Sequence, residues 1–204
     1  MNNTKKELVK LFFSFGCLIK DSLRLKPKHI VVCLGGSGCS DGGIGMLYGL
    51  NAKFLDAYNN LITPTINNYK LIDKIDLSET LKLFEKTHIT VACDVSNPYC
   101  GKDSASLVYS KQKGASETEA LMLEESLIHI NEIFKKQFSC DLKDLPKTGC
   151  AGGISGALYL LHAKLESGID LVLKLVDFKT KLKNIDLVIT GEGSTDSQTM
   201  YGKT

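Results

Sequence analysis

The chain has 204 residues, 43% hydrophobic and 24% charged, with 25 basic against 23 acidic side chains and a formal net charge of +2. That length buries a real core, and that composition excludes a disordered, collagen-like or disulfide-scaffold chain. The near-neutral balance leaves no electrostatic footprint for nucleic acid or an anionic membrane, so neither partner is expected. Cysteines Cys17, Cys33, Cys39, Cys93, Cys100, Cys140 and Cys150 form an odd set without a C-x-x-C pair. They signal neither a zinc site nor a disulfide framework, and scattered thiols fit a reducing cytosol. The charged start, Met1 to Glu7, does not read as a signal peptide, and no apolar run reaches the length of a membrane span. A cytoplasmic location is expected.

In chain order, Leu8, Phe12, Phe15, Ile19 and Leu23 recur at helical spacing and predict an amphipathic helix ending before Pro27, with Gly16 as its weak point. His29 to Leu34 is a short β-branched run halted by Gly35-Gly36, the pattern of a buried parallel strand. Asn59 to Asn68, with Pro64, reads as a loop. His88 to Cys93 repeats the strand pattern, and Asp103 reads as a helical carboxylate beyond it. A further helix opens on a capping box at Ser116 and Glu119 and turns Leu123, Leu127, Ile130 and Phe134 inward. The glycine cluster Gly149 to Gly156 leads into a helix carrying Leu158, Leu161 and Leu165, and another runs from Ile169 towards Val176. Ile185 to Thr190 is a third buried-strand pattern, running into Gly191-Glu192-Gly193. Strands alternating with helices predict an α/β fold, a mainly parallel sheet with flanking helices.

In open α/β sheets ligands bind beyond the carboxyl ends of the strands, so the chemistry is sought in the loops that follow them. After the first strand, Gly35, Gly36, Ser37, Gly38, Asp41 and Gly42 to Gly45 form a loop whose amides can approach a phosphate, since no Cβ intervenes. A tight strand-to-helix turn accounts for those glycines equally well. After the second strand, Asp94 and Asn97 could hold a metal-bound phosphate or accept a hydroxyl proton, while an Asx turn before Pro98 is the plainer alternative. After the third, Glu192 and Asp196 share a loop with Ser194, Thr195, Ser197 and Thr199. Gly202-Lys203-Thr204 is not the end of a Walker A loop, because its first glycine would fall at Ser197. His29, His88, His129 and His162 lack metal spacing and a serine elbow, and read as structural.

These segments, in this order, resemble the type I glycerate kinases. The likeness rests on Ser14-Phe15-Gly16, Leu34-Gly35-Gly36-Ser37, Asp41 to Met46, Phe54-Leu55-Asp56-Ala57, Val91 to Val95 with Asn97-Pro98, and Gln112-Lys113-Gly114-Ala115. Ala151-Gly152-Gly153, Leu187 to Gly193, Asp196 to Thr199 and Gly202-Lys203 extend it to the end of the chain. The resemblance implies ATP-dependent phosphorylation of D-glycerate, at the 2-hydroxyl, with Mg2+, in glyoxylate or related sugar-acid breakdown. It implies a fold of two α/β domains, one inserted in the other. Asp94, Asp196 and Asp41 become the catalytic candidates, with Asp94 and Asp196 also the metal ligands. Gly35, Gly36, Ser37, Gly38, Asn97, Glu192 and Lys203 become the phosphate and substrate group.

Members of that family extend well before the point matching Ser14 and continue past Lys203, so this chain is expected to be a middle piece. Residues 1–184 would be its central part, with most of the inserted domain, and 185–204 the start of the return into the other α/β domain. Ser194 stands where an arginine follows Gly-Glu-Gly in the family, and serine supplies neither that charge nor its forked donors. Two expectations follow: an enzyme that uses nucleotide and glycerate, or an inactive remnant that folds but needs the missing segments. A homo-oligomer or a complementing chain would suit either, as would an exposed apolar surface or unpaired strand edge.

Overall fold

The computed structural model describes residues 4–38, 40–110, 113–189 and 191, with side chains from Phe12 onward. Helix α1 (Thr4–Leu23) runs unbroken through Gly16. The glycine has a packing reason: α1 lies so close to α2 (Ile44–Gly49) that a Cβ on Gly16 would stand 2.2 Å from the Met46 carbonyl oxygen. A Cβ on Gly49 would likewise stand 2.4 Å from the carbonyl oxygen of Phe13. In chain order β1 (His29–Cys33) comes between these two helices.

A small antiparallel sheet follows, with β2 (Lys53–Leu55) between β3 (Leu61–Ile62) and β4 (Lys74–Asp76). Helix α3 (Ser78–Leu83) leads to β5 (His88–Ala92), then come α4 (Ala105–Tyr109) and the long α5 (Glu117–Phe138). The capping box at Ser116 and Glu119 forms as expected, and Leu123, Leu127, Ile130 and Phe134 are buried. A left-handed turn precedes α6 (Ile154–Leu160), which is followed by β6 (Lys164–Glu166), α7 (Gly168–Leu175) and α8 (Phe178–Lys181). The larger sheet has the order β1-β5-β6 and is wholly parallel, with Val32 beside Val91 and Val91 beside Leu165. Helix α6 packs on β5 and β6, and α2 packs on α6, so the core lies on one face of this sheet. The α/β fold with a parallel sheet and flanking helices is therefore present, with the short antiparallel sheet as an unexpected addition.

Four local expectations are corrected. Strand β1 is buried on one face only: Val32 is in the core at 6% exposed, while Val31 (37%) and Cys33, which share the opposite face, are exposed. Leu165 is in β6 rather than in a helix, because His162 takes a left-handed conformation (φ 65°) that ends the helical path after α6. Asp103 sits in the turn before α4. Ile185 to Ile189 form no strand, and Leu187 (74%) and Ile189 (88%) are exposed; a strand exists only within a ladder, and no described strand offers them one. Thr190, the end of that pattern, lies outside the described residues. Among the described residues no helix is long and apolar enough to cross a membrane.

Candidate functional site

Because β1, β5 and β6 are parallel neighbours, the loops leaving Cys33, Ala92 and Glu166 start from the same edge of the sheet. The first loop has two distinct halves. Gly35, Gly36 and Gly38 are exposed, and a Cβ added to Gly35 or Gly36 would meet nothing within 4 Å. Gly42 and Gly43 are buried, and a Cβ on Gly43 would stand 2.6 Å from that of Ala157. Gly42 and Gly43 are therefore explained by packing, and Gly35 and Gly36 are not. Gly36 is left-handed (φ 62°), which also favours glycine.

Asp41 is 3% exposed, and its carboxylate accepts the N–H groups of Gly43 (2.9 Å) and Gly45 (3.1 Å) at the start of α2. Its carbonyl accepts the Tyr69 hydroxyl at 2.9 Å. This aspartate orders the glycine loop from beneath. Asp94 is exposed, two residues beyond Ala92 at the end of β5, and its Oδ1 accepts the Gly168 N–H at 2.7 Å. Gly168 opens α7, so the carboxylate rests at the positive end of that helix. A Cβ on Gly168 would stand 2.7 Å from Asp94 Oδ2. Asn97 is half-buried and spans the loop: its Nδ2 donates to the Asp103 carbonyl (2.8 Å) and its Oδ1 accepts from the Tyr109 hydroxyl (3.0 Å). Ser37 is half-buried. Glu192, Asp196 and Lys203 lie outside the described residues.

The loops are joined by residues the sequence reading missed. Tyr99 donates its hydroxyl to the Gly42 carbonyl (2.9 Å) and its N–H to Thr148 Oγ1 (2.9 Å). Gly42 in turn donates its N–H to the Gly152 carbonyl (2.9 Å), and Gly149 donates to that of Asn97 (2.9 Å). The turn from Gly149 to Gly153, with Ala151, Gly152 and Gly153 all left-handed, thus touches both of the first two loops. It also walls a cavity of about 360 Å³ with Phe15, Leu34, Gly35, Ser37, Ala151 and Ile154 in its lining. At the β5 exit the Cys93 thiol is held below its ordinary value, first by hydrogen bonding with Cys150, with the nearby Lys147 ammonium contributing. The same contact, and then burial, push Cys150 upward. The local signal for these connectors was slight: a tyrosine after Asn97-Pro98 and a threonine before Gly149 look like ordinary loop residues.

Parallel strands whose carboxyl edge carries an open glycine loop, an exposed aspartate and an adjoining cavity define an α/β protein whose candidate ligand site lies at the strand ends. Residues 2–204 match the Glycerate kinase family, and the chain belongs to that family. It is 39% identical to a glycerate kinase of Bacillus cereus and 40% identical to a glycerate 2-kinase of Escherichia coli, each over 92% of this chain and 50% of the relative. A crystal structure described as that of glycerate kinase 2 from Salmonella typhimurium LT2 superposes with a TM-score of 0.82 at 39% identity, covering 93% of this chain and 51% of that one. The chain thus spans about half the length of the curated relatives it matches.

Proposed function

We propose that this chain supplies the glycerate- and phosphate-holding part of an ATP-dependent phosphorylation of D-glycerate to 2-phosphoglycerate in the cytoplasm. The observation that carries the reading is the exposed pair Gly35 and Gly36, which packing does not explain, on the same sheet edge as the exposed Asp94. Backbone amides of Gly35, Gly36 and Gly38, with the Ser37 hydroxyl, donate hydrogen bonds to phosphate oxygens where no side chain blocks the approach. Asp94 orients the glycerate hydroxyl and takes its proton, and the Gly168 amide fixes one of its carboxylate oxygens for that task. Asp41 contributes by ordering the loop and Asn97 by bridging it to α4. Lys147 adds positive charge at the β5 exit.

Mg2+ takes one or two carboxylates together with nucleotide phosphates, and Asp94 is an exposed oxygen donor of that type. Asp196 is the second candidate ligand, and Glu192 and Lys203 complete the group on the phosphate side. When bound, the ion neutralises charge on the transferring phosphate. The domain division follows the same reading, with residues 1–184 in one unit and 185–204 returning to another.

The test is ADP release with and without D-glycerate, on this chain and on a full-length chimaera in which it replaces the matching half of the Escherichia coli relative. The chain alone is expected to show little or no glycerate-dependent turnover, and the chimaera to recover it. There, Asp94→Asn should lower turnover about a hundredfold, while Glu85→Gln, an exposed change on the turn leading into β5, should leave it unchanged. An active chimaera indifferent to Asp94→Asn removes the site assignment. A folded chimaera with no turnover supports the inactive remnant instead.

A further inference from the structure

Glu124, on α5 and 7% exposed, is a buried carboxylate whose partners among the described residues all come from one short segment. Its Oε1 accepts the Gly101 N–H at 2.7 Å, and its Oε2 accepts the hydroxyls of Ser104, at 2.5 Å, and of Ser106. Both serines are buried, and Ser104 caps α4 by accepting the Leu107 N–H at 3.4 Å. All three donors to Glu124 are neutral groups. A carboxyl group costs more to bury than a leucine of similar size, so the packing of α4 on α5 does not by itself account for it. What the carboxylate adds is a directed hold on three donors at once.

The segment held in this way grips Asn97. The Asp103 carbonyl accepts from Asn97 Nδ2 at 2.8 Å and the Tyr109 hydroxyl donates to Asn97 Oδ1 at 3.0 Å, so the side chain is fastened at both ends. The Ala105 N–H donates to the Pro98 carbonyl at 3.4 Å, and a Cβ on Gly149 would stand 2.9 Å from that of Ala105. Helix α4 therefore bears on the loop after Asp94 and on the turn before α6. We propose that Glu124 is a positioning residue: by fixing Gly101, Ser104 and Ser106 it sets α4, and α4 sets Asn97 and the loop that carries Asp94. Glu124 touches no reacting atom. A misplacement of about 1 Å at a reacting group can cost roughly a hundredfold in rate, which is how a side chain at this remove reaches the chemistry. Its effect on turnover rests on the proposed function, and its hold on the loop does not.

Glu124→Leu keeps the bulk and removes every acceptor, while Glu124→Gln keeps one acceptor oxygen and serves as the conservative variant. In the full chain, hydrogen exchange read by mass spectrometry should quicken about tenfold over residues 97–101 in Glu124→Leu, less in Glu124→Gln, and stay as it is in β1. In the chimaera, the KM for D-glycerate should rise about tenfold in Glu124→Leu, with partial rescue in Glu124→Gln, whereas mere loss of folded protein lowers kcat and leaves KM alone. That rise should vanish when Asn97 is already replaced by alanine. Unchanged exchange over 97–101 in a folded Glu124→Leu chain overturns the proposal, as does an unchanged KM in a chimaera that Asp94→Asn disables. A native chimaera without turnover counts against the proposed function, and the exchange result then decides the positioning by itself. Should Glu124→Leu fail to fold, Ser106→Ala removes one donor from the other side and should give the same pattern at smaller amplitude, and its absence overturns the proposal equally.

Discussion

Tyr99 is 1% exposed, yet its ring is wedged where a Cβ on Gly42, Gly153 or Gly156 would fall within 3 Å of its atoms. Its hydroxyl and its amide are both used by neighbouring loops. Tyr99→Phe keeps the ring and removes the bond to Gly42, and should cost about 1 kcal/mol in urea denaturation. Thr148→Val deletes the acceptor of the Tyr99 N–H and strands a buried donor, and should cost more, about 1–3 kcal/mol. The reverse order would mean that the Tyr99 amide finds another partner. At this scale Asp94 was legible from sequence, because a carboxylate directly after a β-branched run marks a strand exit. Tyr99 and Thr148 were not, since their work is done across long sequence separations and leaves no local pattern. Asp41 was legible as a loop carboxylate, but its orientation toward the Gly43 and Gly45 amides was not.

Among elements, the crossing of α1 and α2 is the most sharply constrained. Alanine at Gly16 should gain roughly 1 kcal/mol of helix propensity, but its Cβ would fall 2.2 Å from a backbone oxygen that cannot rotate away. Overpacking of about 1–3 kcal/mol is expected to win, so Gly16→Ala should lower Tm, and Gly49→Ala should do the same. Helix α5 offers a pH test at its carboxyl end. Asp141 accepts from Asn131 Nδ2 (2.9 Å) and pairs with Lys135 (2.8 Å), which hold it at about 2 against an ordinary 3.8. Its contribution is therefore full above about 4 and is lost as pH falls through about 2. Stability curves of the native chain and Asp141→Asn should differ at neutral pH and converge across that window; a constant gap would show that the carboxylate charge is not involved. Strands β1 and β5 were readable because five-residue apolar runs halted by glycine or aspartate have few other interpretations. Strand β6 is three residues, Lys164-Leu165-Glu166, and its single apolar side chain continues the preceding helical spacing, so only the sheet identifies it. Ile185 to Ile189 carries a strand pattern without a ladder, which no local pattern could reveal.

For the molecule as a whole, exposed large apolar side chains are spread over the described surface, and they include Val31 on strand β1 and Leu187 and Ile189 in the 185–189 segment. Surfaces of this kind promote association, so sedimentation should reveal concentration-dependent self-association that Val31→Lys and Leu187→Lys each weaken. A strictly monomeric chain at high concentration would remove the homo-oligomer from consideration. The order β1-β5-β6 has a further consequence. Both connections step the same way across the sheet, and right-handed crossovers then put α2 and α6 together on one face. Helix α7 also packs on β5, on the path out of β6. A later segment returning to the flank of β1 that no described strand occupies would reverse the direction of winding there. At such a reversal the helices on either side diverge and leave a crevice above the strand ends, and the strand beneath it would be the one that delivers Gly35 to Gly38.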